Sequence, residues 1–257
     1  MSVMMKERLG RSIERKDERD FPFYNGIPGD VPNWKWIVIV ASCAAAFLML
    51  MFFYFDNEIL NIIPRTLFVA IPLVTFIVLV RPDWKAIFKP IRGADIGNIF
   101  FFLLLNLVVA TAVGLTVRAI FGANPDAATV GLADLPTAEK IGFFIGTGIQ
   151  IFGEELFTIL PFLAVLTWLH RAGVRRNRAV LWSWLITAIW FALAHLPAYG
   201  WNLIQVLLVI GVSRLILTAA YMRAKNILTS TGVHILYDWS GFLLLVTTGV
   251  HVGTGMM

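Results

Sequence analysis

The sequence predicts an all-α polytopic membrane protein, a transmembrane bundle of about seven to eight helices with its functional core in the last four. Three observations carry that prediction. The 257 residues are 58% hydrophobic and only 14% charged, against about 45–50% and about 25% in soluble domains, and the mean hydropathy is +0.78. Seven apolar segments, near 35–55, 59–80, 95–121, 138–169, 179–197, 202–222 and 228–250, each approach the roughly 20 residues needed to cross the hydrocarbon core. The connections alternate in charge. Arg81, Lys85, Lys89 and Arg92, then Arg171, Arg175, Arg176 and Arg178, then Arg223 and Lys225 fill three of them, while those near 56–58, 122–137 and 198–201 carry Asp56, Glu58, Asp126 and Asp134 and no Lys or Arg. Under the positive-inside rule this alternation places the N-terminus in the cytoplasm and, with seven spans, the C-terminus outside.

In chain order, residues 1–33 are polar and mixed in charge, with Gly26, Pro28 and Pro32 near their end, and read as a cytoplasmic tail. Residues 34–137 read as accessory membrane helices. The single cysteine, Cys43, excludes an internal disulfide and reads as a buried thiol. Arg65 and Asn106 stand alone among apolar residues and read as end-snorkelling and helix packing, respectively. Residues 138–250 form the core, and 251–257 a short tail. The net charge of +5 falls mostly in short loops, where it sets orientation, and does not point to nucleic acid. The bilayer is the expected surrounding.

The polar residues of the core are arranged in stripes. In the fourth segment Gly142 and Gly146 form a small-residue pair suited to close helix packing. Thr147, Gln150, Glu154 and Thr158 follow at spacings that share one helical face, which implies a hydrated interior surface centred on Glu154. Glu155 points about 100° away from it, and Pro161 is expected to kink the helix. In the fifth segment Ser183, Thr187, Phe191 and His195 share a face. In the seventh, Thr231, His234 and Asp238 do. Of four histidines, only His195 and His234 lie within spans; His170 is in a basic loop and His251 in the tail. Charged groups at membrane depth cost about 2.5–3.5 kcal/mol each on insertion scales, so they face the bundle interior, a wet cavity or one another.

These residues resemble a family. Gly153-Glu-Glu-Leu-Phe-Thr-Ile159, Phe191-Ala-Leu-Ala-His195 and His234-Ile-Leu-Tyr-Asp238 are similar to the three ordered motifs of the CPBP (CAAX protease and bacteriocin-processing, or Abi) intramembrane endopeptidases, EExxxR, FxxxH and HxxxN or HxxxD. The resemblance covers roughly 138–250. One departure is plain: the motif arginine falls on Ile159. Arg214, deep in the sixth segment, either pairs with Glu155 or Asp238 and partly replaces that charge, or snorkels or binds backbone carbonyls.

The resemblance implies glutamate-dependent peptide hydrolysis within the membrane, on a membrane-associated or prenylated peptide or protein. Glu154 would then be the general base for water, His195 would hold that water or relay its proton, and His234 would stabilise the oxyanion. Asp238 would orient His234, and Glu155, Phe191 and Arg214 would support them. No cofactor is expected. Zinc is the alternative, since two carboxylates and two histidines suit it, though no HExxH is present. A catalytically impaired scaffold or immunity protein, favoured by Ile159, and a transporter are the other readings. The axial positions pose a difficulty. His195 falls near the outer end of its segment and His234 nearer the inner end of its own, so straight helices rising about 1.5 Å per residue hold them apart. Tilted or broken helices, or different boundaries near Pro197 and Asn226, are therefore required.

Overall fold

The computed structural model describes residues 8–15 and 19–249; the expected tail 251–257, with His251, lies outside them. Among the described residues the structure is all-helical. Its seven long helices are α1 (Asn33–Phe52), α2 (Ile62–Val80), α3 (Gly93–Phe121), α4 (Thr137–Arg171), α5 (Arg176–Ala194), α6 (Leu203–Ala224) and α7 (Ile227–Thr248). Helices satisfy every backbone N–H and C=O within one segment, as a hydrocarbon environment demands. Six of them, α1 to α6, are long and apolar enough to cross a membrane. The protein is an integral, multi-pass membrane protein. The expected seventh span, α7, has the length, but Thr229, Ser230, Thr231, His234 and Asp238 lower its hydropathy. Those polar residues sit mostly in its buried first turns, and α7 packs against α3, α4 and α6.

The bundle is built around α4. In their most apolar stretches α4 is 72% buried and α3 only 17%, so α4 is the axis and α3 turns most of its surface outward. α1, α2, α5 and α7 all pack on α4. Small residues let them approach: a Cβ at Gly153 would stand 2.5 Å from the Phe68 ring of α2, and one at Gly146 would meet the Arg65 side chain. α4 runs helical through Pro161. Proline has no N–H for the carbonyl four residues earlier, and that carbonyl, of Phe157, accepts instead from the Trp190 indole N–H of α5 at 3.2 Å.

Boundaries near the site differ from the sequence reading. α5 ends at Ala194, three residues before Pro197, and His195 is its C-terminal cap. α6 begins at Leu203 under the Asn202 side chain, which accepts from the Gln205 N–H, and passes through a π turn at Val206–Ile210. Asn226 caps α7. The described part of residues 1–33 does not behave as a free tail. Phe21, Phe23 and Tyr24 are buried, with Phe21 against Phe162 and Tyr221. Glu14 pairs with Arg176 and Lys225, while Arg15 and Arg19 pair with Asp95. The aromatic residues following the charged stretch give this segment an apolar face to bury. Cys43 is a buried free thiol.

Candidate active site

Two adjacent glutamates on one helix face different surroundings because successive side chains diverge by about 100°. Glu155 points between α6 and α7 and is wholly buried. Its Oε1 accepts from Arg214 Nη1 at 2.7 Å and its Oε2 from Nη2 at 3.1 Å. Arg214, equally buried, also donates from Nε to Thr218 Oγ1 at 3.1 Å and lies over the Phe191 ring at 4.9 Å. A planar guanidinium holding a carboxylate by two parallel bonds fixes both orientations. The family arginine position, Ile159, is wholly buried and apolar; the cation reaches the glutamate pair from α6 instead.

Glu154 keeps 13% of its side chain exposed. Its Oε1 accepts from Gln150 Nε2, one turn earlier, at 2.8 Å. Thr158 donates back to the Glu154 carbonyl at 3.0 Å, and Thr147 accepts from the Trp239 indole at 3.3 Å. The α4 stripe is thus a continuous polar strip, partly internal. Ser183 and Thr187 of α5 are buried and bonded to carbonyls of their own helix at 2.7 Å each, so the α5 face below Phe191 is not a wet surface.

The two histidines flank one aromatic ring. The His195 imidazole lies on Phe191 with centroids 4.4 Å apart, and His234 meets the same ring edge-on at 6.1 Å. The shortened α5 and the folding back of His195 over Phe191 bring together groups that straight helices would separate. Hydrogen-bond partners set the tautomers. His195 Nδ1 is 2.8 Å from the Phe191 carbonyl, which only accepts, so Nδ1 carries the proton and Nε2 presents a lone pair. His234 Nδ1 is 2.9 Å from Glu155 Oε1 and donates to it. The other nitrogen, Nε2, faces Asp238 Oδ2 at 3.4 Å and Glu154 Oε2 at 3.7 Å. The close partner of the ring N–H is therefore Glu155, and Asp238 stands at the opposite nitrogen.

Glu154 and His195 open onto a cavity of about 430 Å³ lined by α1, α2, α4, the end of α5 and residues 127–130. Arg65 also lines it; it does not snorkel from a helix end but pairs with Glu58 at 2.9 Å and sits over Phe143. Asn106 packs as expected, donating to Ser213 Oγ at 3.0 Å. The connection between α3 and α4 is pinned over this region. Gln205 bonds to both the N–H and the carbonyl of Asn124, at 2.8 and 2.9 Å, and the Ala127 N–H donates to the Ala198 carbonyl at 2.9 Å. Asp126 caps the turn Ala127–Thr129 and accepts from the Tyr199 hydroxyl at 3.2 Å. Burial pushes its carboxyl above the usual range, although the hydrogen bonds from the Ala128 N–H and the Tyr199 hydroxyl pull the other way. Asp126, Tyr199 and Gln205 escape sequence reasoning, because nothing in a loop aspartate or a membrane-edge tyrosine signals which helix end it will meet. Among the described residues, no group of three or more His, Cys, Asp and Glu side chains is placed to hold a metal ion.

Residues 137–240 match the model of the family described as type II CAAX prenyl endopeptidase Rce1-like. The match contains all three motif stretches, Glu154-Glu155, Phe191 to His195 and His234 to Asp238, so the resemblance read from those residues holds at family level. Neither a curated protein nor a solved structure matches the chain.

Proposed function

We propose that this protein is a CAAX-type intramembrane endopeptidase that hydrolyses a peptide bond of a membrane-associated peptide or protein with a water activated by Glu154. The observation that carries this reading is the asymmetry of the glutamate pair. Glu155 has both oxygens committed to Arg214 and one to His234, while Glu154 reaches an open cavity with a single side-chain donor, Gln150. A general base must be able to reach its water, and only Glu154 can.

The step then runs as follows. Glu154 takes a proton from water as the oxygen attacks the scissile carbonyl carbon, and the carbonyl electrons move onto its oxygen. His195, with its Nε2 lone pair at the cavity, holds the water. His234 donates to the oxyanion from Nε2 when the ring carries its second proton there, a charge that Asp238 stabilises from 3.4 Å. Collapse of the tetrahedral carbon breaks the C–N bond, and the proton held by Glu154 passes to the leaving nitrogen. Every role is filled by a side chain, and no metal is invoked.

The test is Glu154→Gln at matched expression, with N-terminal proteomics of the host membranes. New N-termini seen with the wild type and missing with the variant are expected. Identical N-termini, with the variant still complementing a deletion, would sink the proposal.

A further inference from the structure

We propose that the substrate reaches this site from the membrane face opposite the basic loops, so that it is the outer juxtamembrane segment of an exported, membrane-anchored polypeptide rather than a prenylated protein tethered to the cytoplasmic leaflet. This rests on the protease reading above and adds the side of access and the substrate class.

The argument is the placement of the cavity. From Gln150, Glu154 and Phe157 midway along α4 it runs out to the end of α1 and the residues after it (Met51, Phe53, Tyr54), the start of α2 (Pro64, Arg65), the α3–α4 connection (Ala127, Ala128) and the end of α5 (His195, Pro197). Apart from the α4 residues, these chain positions lie at one end of the bundle. That end carries Asp56, Glu58, Asp126 and Asp134 in its connections and no Lys or Arg. The opposite end carries Arg81, Lys85, Lys89, Arg92, Arg175 and Lys225 in its connections, together with the N-terminal segment whose Glu14 is bound by Arg176 and Lys225. Short basic loops stay in the cytoplasm, so the cavity belongs to the other face.

Two further features fit that face. Phe52, Phe53, Tyr54 and Trp201 are 82%, 62%, 70% and 72% exposed at this end, the aromatic composition of a membrane–water interface. Among the described residues, Arg65 is the one Lys or Arg lining the cavity, and it is held by Glu58. At about 430 Å³ the cavity is in the range of pockets that take a drug-sized ligand, roughly 300–1,000 Å³, or a few extended residues. A protein anchored by a lipid on the cytoplasmic leaflet would have to reach Glu154, midway along α4, from the end of the bundle where this cavity does not open.

The test reads side and cleavage separately. In full-length protein with Cys43→Ala, single cysteines are placed by Asp56→Cys, Met51→Cys at the cavity wall, and Arg175→Cys at the basic end. Sealed right-side-out and inside-out vesicles are exposed to a membrane-impermeant maleimide. We expect Asp56→Cys and Met51→Cys to label in right-side-out vesicles and Arg175→Cys in inside-out vesicles; the reverse pattern overturns the proposal. Vesicles of both orientations carrying the wild-type protein are given a single-span polypeptide whose test segment follows its anchor on the outer side, or a farnesylated CAAX peptide on the cytoplasmic side. Cleavage of the first and not the second supports the substrate class, and the opposite preference overturns it. If neither is cut, the protease reading falls and takes the substrate class with it, while the labelling pattern, which Glu154→Gln leaves unchanged, still reports the side.

Discussion

Arg214 clasps Glu155 through two hydrogen bonds, at 2.7 and 3.1 Å, with neither side chain exposed to solvent. The pair joins α6 to α4 at the depth of the site, and Glu155 in turn holds His234 of α7. Removing one partner strands a buried charge, which costs about 3–5 kcal/mol, whereas replacing both with apolar residues of similar volume is often neutral. Arg214→Met is therefore expected to lower the melting temperature in detergent sharply, and Arg214→Met with Glu155→Leu to recover most of it. The double variant should remain inactive, because His234 loses the acceptor for its Nδ1–H. A single Arg214→Met that melts like wild type would show that the pair contributes nothing.

The two glutamates should separate in opposite ways. Glu154→Gln keeps the shape and the Gln150 contact, so the fold should hold while turnover falls by at least about 10²–10⁴, the usual range for a positioned acid–base group. Glu155→Gln weakens the Arg214 clasp and should lose stability first. Equal melting temperatures for the two variants, or equal turnover, would contradict this division. Measuring both quantities on each variant in one detergent decides it.

How far the site could be read from sequence follows from the cost of polar groups in lipid. Glu154, His195, His234 and Asp238 stand out because each is expensive at membrane depth, and Arg214 because a lone buried cation must find a partner. Their axial meeting was not legible. Helix periodicity gives the face a residue occupies but not the height at which the helix stops, and α5 stops at Ala194. Asp126 was not legible either, since an aspartate in a polar connection costs nothing until the fold buries it against His195 and Tyr199. The packed N-terminal segment was hidden for a related reason. Phe21, Phe23 and Tyr24 sit beside a run of charges, of which Glu14 is neutralised by Arg176 and Lys225, and Arg15 and Arg19 by Asp95, all from distant positions.

Phe191 touches three groups of the site: His195 at 4.4 Å, His234 at 6.1 Å and the Arg214 guanidinium at 4.9 Å. A desolvated cation over an aromatic ring contributes about 2 kcal/mol or more. Phe191→Leu keeps an apolar side chain but removes that face, and should cost roughly 1–3 kcal/mol of stability. Turnover should fall about tenfold or more with little change in KM, because imidazole placement, a matter of orientation, is what suffers. A rise in KM at unchanged kcat would instead make the ring part of the substrate-binding wall.

Acid should loosen the N-terminal segment before it loosens the bundle. Burial alone would push the Glu14 carboxyl up. The hydrogen bonds from Arg176 and the charges of Lys225 and Arg176 outweigh it and hold Glu14 near 2, below an ordinary 4.5. Burial dominates at Lys225, which is brought down to about 8 despite Glu14; we attach the acid sensitivity to Glu14 because two cations face it and Lys225 stays charged throughout the acid range. A carboxyl whose folded value lies below its unfolded one stabilises the fold fully above the unfolded value, and that stabilisation disappears as pH falls through the folded value. The window is therefore pH 4.5 down to about 2, and the shift corresponds to about 3 kcal/mol at 1.36 kcal/mol per pH unit. The melting temperature of the wild type should drop across this window, with protease cleavage appearing first near residues 8–32. Glu14→Gln should start lower at neutral pH and show a flatter acid slope. Parallel pH curves for the two proteins would mean that the Glu14 cluster does not fasten the segment.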